Sequence, residues 1–138
     1  MAAGKRMLLA TATPAKAMNL LLLFASYQWS RLLGKPLHRG MPASISIEPT
    51  TACNLRCPEC TSGLRQFTRP QGNMKMETFR TVIDQLGSKL LFLNLYFQGE
   101  PFIHPEFLQM VEYAAGKNIY TCTSTNGHFI SGDVARQT

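Results

Sequence analysis

The pattern of apolar and polar residues along the chain predicts three strands that alternate with helices. Residues 44–48 alternate between polar and apolar side chains, as a half-buried strand does. Residues 90–97 are apolar except for Asn94, a pattern typical of a parallel strand buried on both faces. A third strand is expected over residues 119–125. The polar segment 61–73 between the first strand and the next helix is expected to be a long surface loop.

Helical periodicity appears between and after these strands. One helix is predicted over residues 76–88, and its apolar face is formed by Phe79, Val82, Ile83 and Leu86. A second is expected to open at His104-Pro105, with His104 as its N-cap, because proline is favoured in the first helical turn. Its predicted buried face consists of Leu108, Val111, Ala114 and Ala115.

The order strand, helix, strand, helix, strand predicts an α/β fold with a parallel sheet and right-handed crossovers. A further helix is expected to start at Ser131 or Gly132. The third strand would leave an apolar edge open, which natural proteins avoid. We therefore expect the chain to be the N-terminal part of a longer protein, with residues 1–40 as a basic segment and residues 41–138 as the core.

A separate apolar helix is predicted over residues 17–33, following a segment 1–16 that is expected to be poorly ordered. Asn19, Ser26 and Ser30 form one narrow polar stripe on this helix. The stretch falls short of the roughly twenty apolar residues that span a bilayer. Two interpretations remain open: the helix packs against the core, or it lies on an anionic membrane surface.

The net charge of +6 lies entirely in the N-terminal segment. Residues 1–47 contain six lysines and arginines and no acid, whereas the eight basic and eight acidic residues after them cancel. A nucleic-acid surface would spread basic residues over a folded face, so we do not expect a nucleic-acid partner. The apolar run Met7–Ala10 is too short for a secretory signal peptide.

Three cysteines, Cys53, Cys57 and Cys60, lie in a C-x-x-x-C-x-x-C spacing directly after the first predicted strand. Three thiolates in one loop can face a single metal centre, and iron–sulfur clusters normally have four cysteine ligands. Three ligands would leave one iron open, as catalytic metals require. A zinc site with Cys122 or a histidine as fourth ligand remains the alternative. Cluster chemistry requires a reducing compartment, so cytoplasm is the expected location.

Two other motifs end the next two strands. Gly99-Glu100 follows the second strand and Thr125-Asn126 ends the third. Because the sites of parallel α/β folds lie at the carboxyl ends of the strands, these motifs and the cysteine loop are expected to form one site. The third motif can equally be interpreted as a turn formed by Asn126-Gly127, without a role in the site.

These residues resemble the radical SAM superfamily, whose signature is the three-cysteine loop after a barrel strand. Gln98-Gly99-Glu100-Pro101 is similar to the family's Gly-Gly-Glu-Pro motif, and Ser124-Thr125-Asn126-Gly127 to its Thr-Asn-Gly motif. The resemblance covers about residues 41–138. It is closest to the peptide and protein maturases and the molybdenum-cofactor cyclase, many of which carry a SPASM extension. It implies a partial TIM-like barrel, here the first three βα units of six.

The resemblance also implies the chemistry. Cys53, Cys57 and Cys60 would ligate a 4Fe–4S cluster whose fourth iron binds S-adenosylmethionine (SAM). Reductive cleavage would give a 5′-deoxyadenosyl radical that abstracts a substrate hydrogen. Glu100 would accept a hydrogen bond from the methionine ammonium group, and Gly99 would allow close backbone approach. The resemblance implies three further cofactor-binding residues. Glu59 would contact adenine through its backbone, and Thr125 and Asn126 are the other two.

The partners implied are an electron donor such as flavodoxin or ferredoxin and a peptide or protein substrate. Two other classes of function remain: a zinc- or cluster-stabilised binding module without catalysis, and a membrane-surface adaptor led by the basic helix. The Gly-Glu-Pro and Thr-Asn-Gly motifs favour the radical SAM enzyme, because neither alternative needs them.

Overall fold

A three-stranded parallel sheet forms the centre of the molecule. The computed structural model describes residues 11–137 of the 138-residue chain. The strands are β1 (Ser44–Ser46), β2 (Phe92–Asn94) and β3 (Tyr120–Cys122), in the order β1-β2-β3. Ser44 lies opposite Phe92, which lies opposite Tyr120. The predicted parallel α/β arrangement is therefore confirmed.

Each strand is shorter than the stretch that was predicted for it. Backbone pairing continues one residue further, through hydrogen bonds from Ile47 N to Asn94 O (2.8 Å) and from Leu95 N to Cys122 O (2.7 Å). The chain then turns away from the sheet, and Phe97 is 70% exposed. The prediction that residues 90–97 form one buried strand is thus wrong at its carboxyl end, where the run becomes a loop.

Helices α3 (Met76–Leu86) and α4 (Phe107–Gly116) pack with the strands into one apolar core. The predicted face of α3 is confirmed, since Phe79 and Ile83 are fully buried and its other two members pack against the core. On the sheet, β2 contributes the fully buried Leu93. The core residues are Ile47, Phe79, Ile83, Leu90, Leu93, Leu95, Phe107, Met110, Ala114 and Ile119.

The predicted face of α4 is confirmed for three of its four residues, since Ala114 is buried and Leu108 and Val111 pack against the core. Ala115 is exposed, and Phe107 and Met110 are buried in addition. The helix begins at Phe107, beyond the expected Pro105. The residues from Pro101 to Ile103 form a separate short 3-10 helix before it.

The sequence predicted His104 as the N-cap of α4, and this prediction is wrong, because Glu106 occupies that position. Its Nε2 lies 2.8 Å from the carbonyl oxygen of Met74, and its Nδ1 accepts a hydrogen bond from Glu106 N at 3.0 Å. A carbonyl can only accept and a backbone amide can only donate, so the ring is neutral with its proton on Nε2. His104 is 4% exposed and ties the turn before α4 to the segment before α3.

Helix α1 (Pro14–Leu33) begins three residues earlier than predicted. Thr13 is its N-cap and accepts a hydrogen bond from Lys16 N, while Pro14 occupies the first turn, where its missing N–H costs nothing. The predicted disorder of residues 1–16 is wrong for residues 14–16, and residues 1–10 lie outside the described part. No helix among the described residues is long and apolar enough to cross a membrane.

Two smaller helices complete the fold. Helix α2 (Thr61–Leu64) lies within the segment that was predicted to be a surface loop, so that prediction is wrong for these four residues. Helix α5 begins at Gly132, one of the two predicted start positions, and reaches Gln137. The division of the chain at residue 40 stays a prediction.

Candidate functional site

Three loops meet at the carboxyl edge of the sheet, one after each strand. The segment Thr50–Ala52 leads from β1 into the cysteine loop, and Glu100 N donates to Ala52 O at 2.7 Å. The side chain of Glu100 in turn contacts the loop after β3. The predicted convergence of the three motifs at one edge therefore exists in the structure.

Gly99 is the point of closest backbone approach. Its amide donates to the Ser62 hydroxyl at 3.0 Å, and its φ of 77° lies in the left-handed region. A Cβ at this position would collide with the carbonyl oxygen of Thr50 and lie 2.8 Å from that of Ala52. Glycine is therefore required both by conformation and by space.

We predict that Gly99→Ala lowers the free energy of unfolding by about 1–3 kcal/mol or more, since it adds backbone strain and a collision with fixed carbonyls. Thermal or denaturant unfolding measures the effect. Gly116→Ala is the matched control, because a Cβ at this helical glycine meets nothing within 4 Å. It should be neutral or stabilising. Equal stability of the two variants would contradict the close packing of Gly99.

Glu100 is a buried carboxylate, 2% exposed, that joins the second and third strand ends. Its Oε1 accepts hydrogen bonds from the Thr125 hydroxyl (2.7 Å) and from Phe102 N (3.2 Å). Its Oε2 accepts one from Asn126 N at 2.7 Å. A carboxylate has about four acceptor positions, so one remains on Oε2. The acid predicted to be a ligand contact is also a structural link within the site.

Asn126 extends this network to the cysteine loop. Its Nδ2 donates to Asn54 Oδ1 at 2.8 Å, and Asn54 Nδ2 lies 2.9 Å from His128 Nδ1. The hydroxyl of Thr125 also accepts a hydrogen bond from Gly127 N (3.1 Å). The motif thus forms the turn that was one of its two interpretations, and it connects Glu100 to the residue after Cys53. Its contact with a cofactor or substrate stays a prediction.

Helix α2 fixes the second half of the cysteine loop. A Cβ on Gly63 would lie 2.5 Å from the backbone nitrogen of Cys57 and 2.6 Å from its oxygen, so helix and loop backbones touch. Ser62, which receives the hydrogen bond from Gly99, is 6% exposed. Neither residue was predicted as part of the site, although a serine and a glycine two and three residues after Cys60 were a usable signal.

The three thiols suit a soft metal by their chemistry. Cys53 and Cys60 are half-buried, Cys57 is exposed, and all are free. Hydrogen bonds from the Gly63 and Ser62 backbone lower the pKa of Cys60, which favours the thiolate that ligates metal. Among residues 11–137, no three His, Cys, Asp or Glu side chains are already arranged to hold a metal ion. Metal binding is coupled to local folding, so we expect the loop to close on the metal.

The other predicted site residues lie outside this network. Glu59 is exposed in the cysteine loop. Cys122 is the last residue of β3 and is half-buried, with Sγ 4.0 Å from the carbonyl oxygen of Thr123. The cofactor and metal roles of the predicted residues stay predictions.

Glu48 is a further residue at this edge for which the sequence indicated no role. Its Oε2 accepts a hydrogen bond from Gln98 N at 3.0 Å, and its Oε1 pairs with Arg69 at 2.6 Å. An acidic residue at the end of the first predicted strand was the available signal. Through its hydrogen bond with Gln98, Glu48 holds the residue before Gly99 close to the end of β1.

Several curated proteins are similar to this chain in sequence. The mycofactocin maturase MftC of Mycobacterium tuberculosis is 34% identical over 99 residues, which cover 70% of this chain and 25% of that protein. The PqqA peptide cyclase of Gluconobacter oxydans is 31% identical over 87 residues, covering 62% of this chain and 24% of the relative. The chain thus spans about a quarter of the length of the curated relatives it matches.

Solved structures share the fold. BtrN in complex with AdoMet and 2-DOIA aligns with a TM-score of 0.62 and 20% identity over 70% of this chain and 41% of BtrN. Streptococcus suis SuiB bound to S-adenosylmethionine aligns with a TM-score of 0.58 and 20% identity over 70% of this chain and 22% of SuiB. No protein-family model matches the chain.

The parallel three-stranded sheet, with its cysteine loop at the carboxyl edge, is part of a (βα) barrel of the kind these structures contain. Together with its sequence relatives, this places the chain in the radical SAM superfamily. The resemblance on which the sequence analysis relied is thereby confirmed.

Proposed function

We propose that the protein carrying this chain is a radical SAM enzyme that matures a peptide, protein or cofactor. The observation that carries the proposal is the direct connection of all three strand-end motifs. Glu100 bonds through its backbone to Ala52, next to the cysteine loop, and through its carboxylate to Thr125 and Asn126. A zinc-stabilised binding module would need the cysteines but no such network, so this observation favours the enzyme.

In this proposal Cys53, Cys57 and Cys60 hold a 4Fe–4S cluster. When bound, the cluster supplies the single electron that cleaves SAM to methionine and a 5′-deoxyadenosyl radical able to abstract hydrogen from a substrate. Gly99 lets the backbone approach SAM, and Glu100 offers its remaining Oε2 position to the methionine ammonium group. The chain thereby binds and orients the cofactors, as proteins do around cofactor chemistry.

The other site residues have supporting roles in the proposal. Thr125 and Asn126 hold the Glu100 carboxylate in place, and Asn126 links it to Asn54. Glu59 is exposed and lies next to Cys60, and its backbone contacts the adenine of SAM in this proposal. The network around Glu100 supports the roles of Thr125 and Asn126, and the resemblance to the superfamily supports that of Glu59.

We also propose the partners and the location. A peptide substrate is supported by the relatives named mycofactocin maturase and PqqA peptide cyclase and by a structure of SuiB bound to precursor peptide SuiA. The reduction step requires a one-electron donor, for which a flavodoxin or a ferredoxin is suited. Free thiols and a reduced cluster suit the cytoplasm.

The test is cleavage of SAM by anaerobically reconstituted, chemically reduced protein. We expect 5′-deoxyadenosine and methionine to form only when both the cluster and the reductant are present, and product chromatography measures them. A cluster-loaded protein that forms no 5′-deoxyadenosine would contradict the enzyme. Colourless protein containing zinc, without iron or sulfide, would favour the binding module.

A further inference from the structure

Helix α1 is oriented with its polar stripe inward and its apolar side outward. Two of the three stripe residues, Asn19 and Ser26, are only 2% and 6% exposed, and Ser30 is half-buried. Lys16, which is 1% exposed, is buried with them. In contrast, the large apolar residues from Met18 to Leu33 are mostly exposed. Among them are Leu21 (61%), Phe24 (62%), Tyr27 (58%), Trp29 (58%) and Leu32 (76%), which we call the outer face of α1.

Hydrogen bonds along the stripe hold this orientation. Lys16 Nζ donates to Asn118 O at 2.5 Å, at the end of α4. The Asn19 amide both donates to Met41 O and accepts from Met41 N, each at 2.8 Å. Rotating the helix to bury the outer face would leave these buried polar groups unpaired, which is costly. The outward position of the apolar residues is therefore built into the fold.

Basic side chains border the outer face without acidic ones. Residues 11–47 contain four lysines and arginines and no Asp or Glu. Arg31 lies 5.8 Å from the centroid of the Tyr27 ring, which keeps its charge beside the apolar surface. Arg39 lines a cavity of about 280 Å³ together with Trp29 and Leu37. Arg31, Lys35 and Arg39, all exposed, form what we call the basic cluster.

We propose that the outer face of α1 docks on the surface of an anionic lipid bilayer, with the helix lying in the interface. An apolar helix face bordered by lysine or arginine is the combination that binds anionic membranes. Tyrosine and tryptophan are favoured at this interface because their rings are apolar and their tips polar. If a second copy of the chain covered the outer face in the same way, it would place an equally basic segment without acidic residues against this one.

Trp29 is the single tryptophan of the chain, so its fluorescence reports on the outer face directly. We expect its emission to shift to shorter wavelength when the protein is titrated with phosphatidylcholine vesicles that contain phosphatidylserine. Pure phosphatidylcholine vesicles should bind much more weakly, and added salt should release the protein from the anionic ones.

Phe24→Glu should weaken anionic vesicle binding about tenfold to a hundredfold, because a large exposed apolar side chain is replaced by a charge that the lipid repels. Gln85→Glu adds the same charge at an exposed position on α3 and should have little effect. Both positions are exposed, so far-UV circular dichroism should show that both variants fold.

Neutralising the basic cluster by Arg31→Gln, Lys35→Gln and Arg39→Gln together should weaken binding about a hundredfold. The control is Arg65→Gln, Lys75→Gln and Arg80→Gln, three exposed sites outside α1 that give the same net charge.

Four outcomes would overturn the proposal. Equal loss of binding in both triple variants would show that net charge, and not this surface, attracts the lipid. Salt-independent binding to neutral vesicles, or no vesicle binding, would exclude an anionic bilayer as the occupant. A lipid-free blue shift of Trp29 that depends on protein concentration and accompanies dimerisation in sedimentation would assign the outer face to a second copy.

Discussion

Replacing Cys53, Cys57 or Cys60 by alanine is expected to lower the iron content of the reconstituted protein more than about tenfold. Each cysteine would be the only protein ligand of one iron, and even changes in residues behind the ligands reduce metal affinity about 10–100-fold. Iron and sulfide analysis after anaerobic reconstitution measures the loss, and the visible absorption of the cluster should fall with it.

Cys122→Ala is the matched control for these variants. Cys122 ends β3 and is half-buried like Cys53 and Cys60, but it lies outside the cysteine loop. Its replacement should leave the iron content unchanged. Loss of iron as large as in the loop variants would make Cys122 a fourth ligand, and the open iron on which SAM binding depends would no longer exist.

Glu100→Gln is expected to weaken SAM binding about tenfold to a hundredfold while leaving the cluster content near that of the wild type. A hydrogen bond to a charged group contributes about 1.5–3 kcal/mol, which corresponds to this range of affinity. Equilibrium dialysis of labelled SAM against reconstituted protein measures the change. Glu112→Gln, at an exposed position on α4, removes the same charge and should not alter the affinity.

The same variant should also be less stable. Three donors, from Thr125, Asn126 and Phe102, converge on the two carboxylate oxygens of Glu100. Glutamine has one oxygen, so at least one buried donor loses its acceptor, at a cost of about 1–3 kcal/mol. Affinity is therefore compared at a temperature where both proteins are folded. Equal SAM affinity of wild type and Glu100→Gln there would remove Glu100 from the cofactor site.

The sequence predicted the site better than the details of packing. Parallel strands deliver their carboxyl ends to one edge, so motifs directly after three strands must converge there. This prediction needs only the strand order. It placed the loops that contain Cys53, Gly99, Glu100 and Asn126 at one edge of the sheet, where the structure has them. The link from Glu100 to Asn126 itself was not predictable, because it depends on the loop path after each strand.

Helix faces were harder to predict because periodicity fixes the spacing of a face but not its partner. The outer face of α1 is apolar and exposed, since the polar stripe finds carbonyl and amide partners at Met41 and Asn118. On α4 the predicted Leu108 and Val111 lie at the margin of the core, while the unpredicted Phe107 and Met110 are the more deeply buried residues. The four-residue helix α2 is too short to show any period.

The central claim is that the cysteine loop holds a cluster with one iron open to SAM. Electron paramagnetic resonance of the reduced, reconstituted protein, recorded with increasing SAM, tests it most directly. The account predicts a reduced 4Fe–4S signal whose spectrum changes saturably as SAM binds the open iron. A protein loaded with iron and sulfide whose spectrum stays the same at saturating SAM would contradict it.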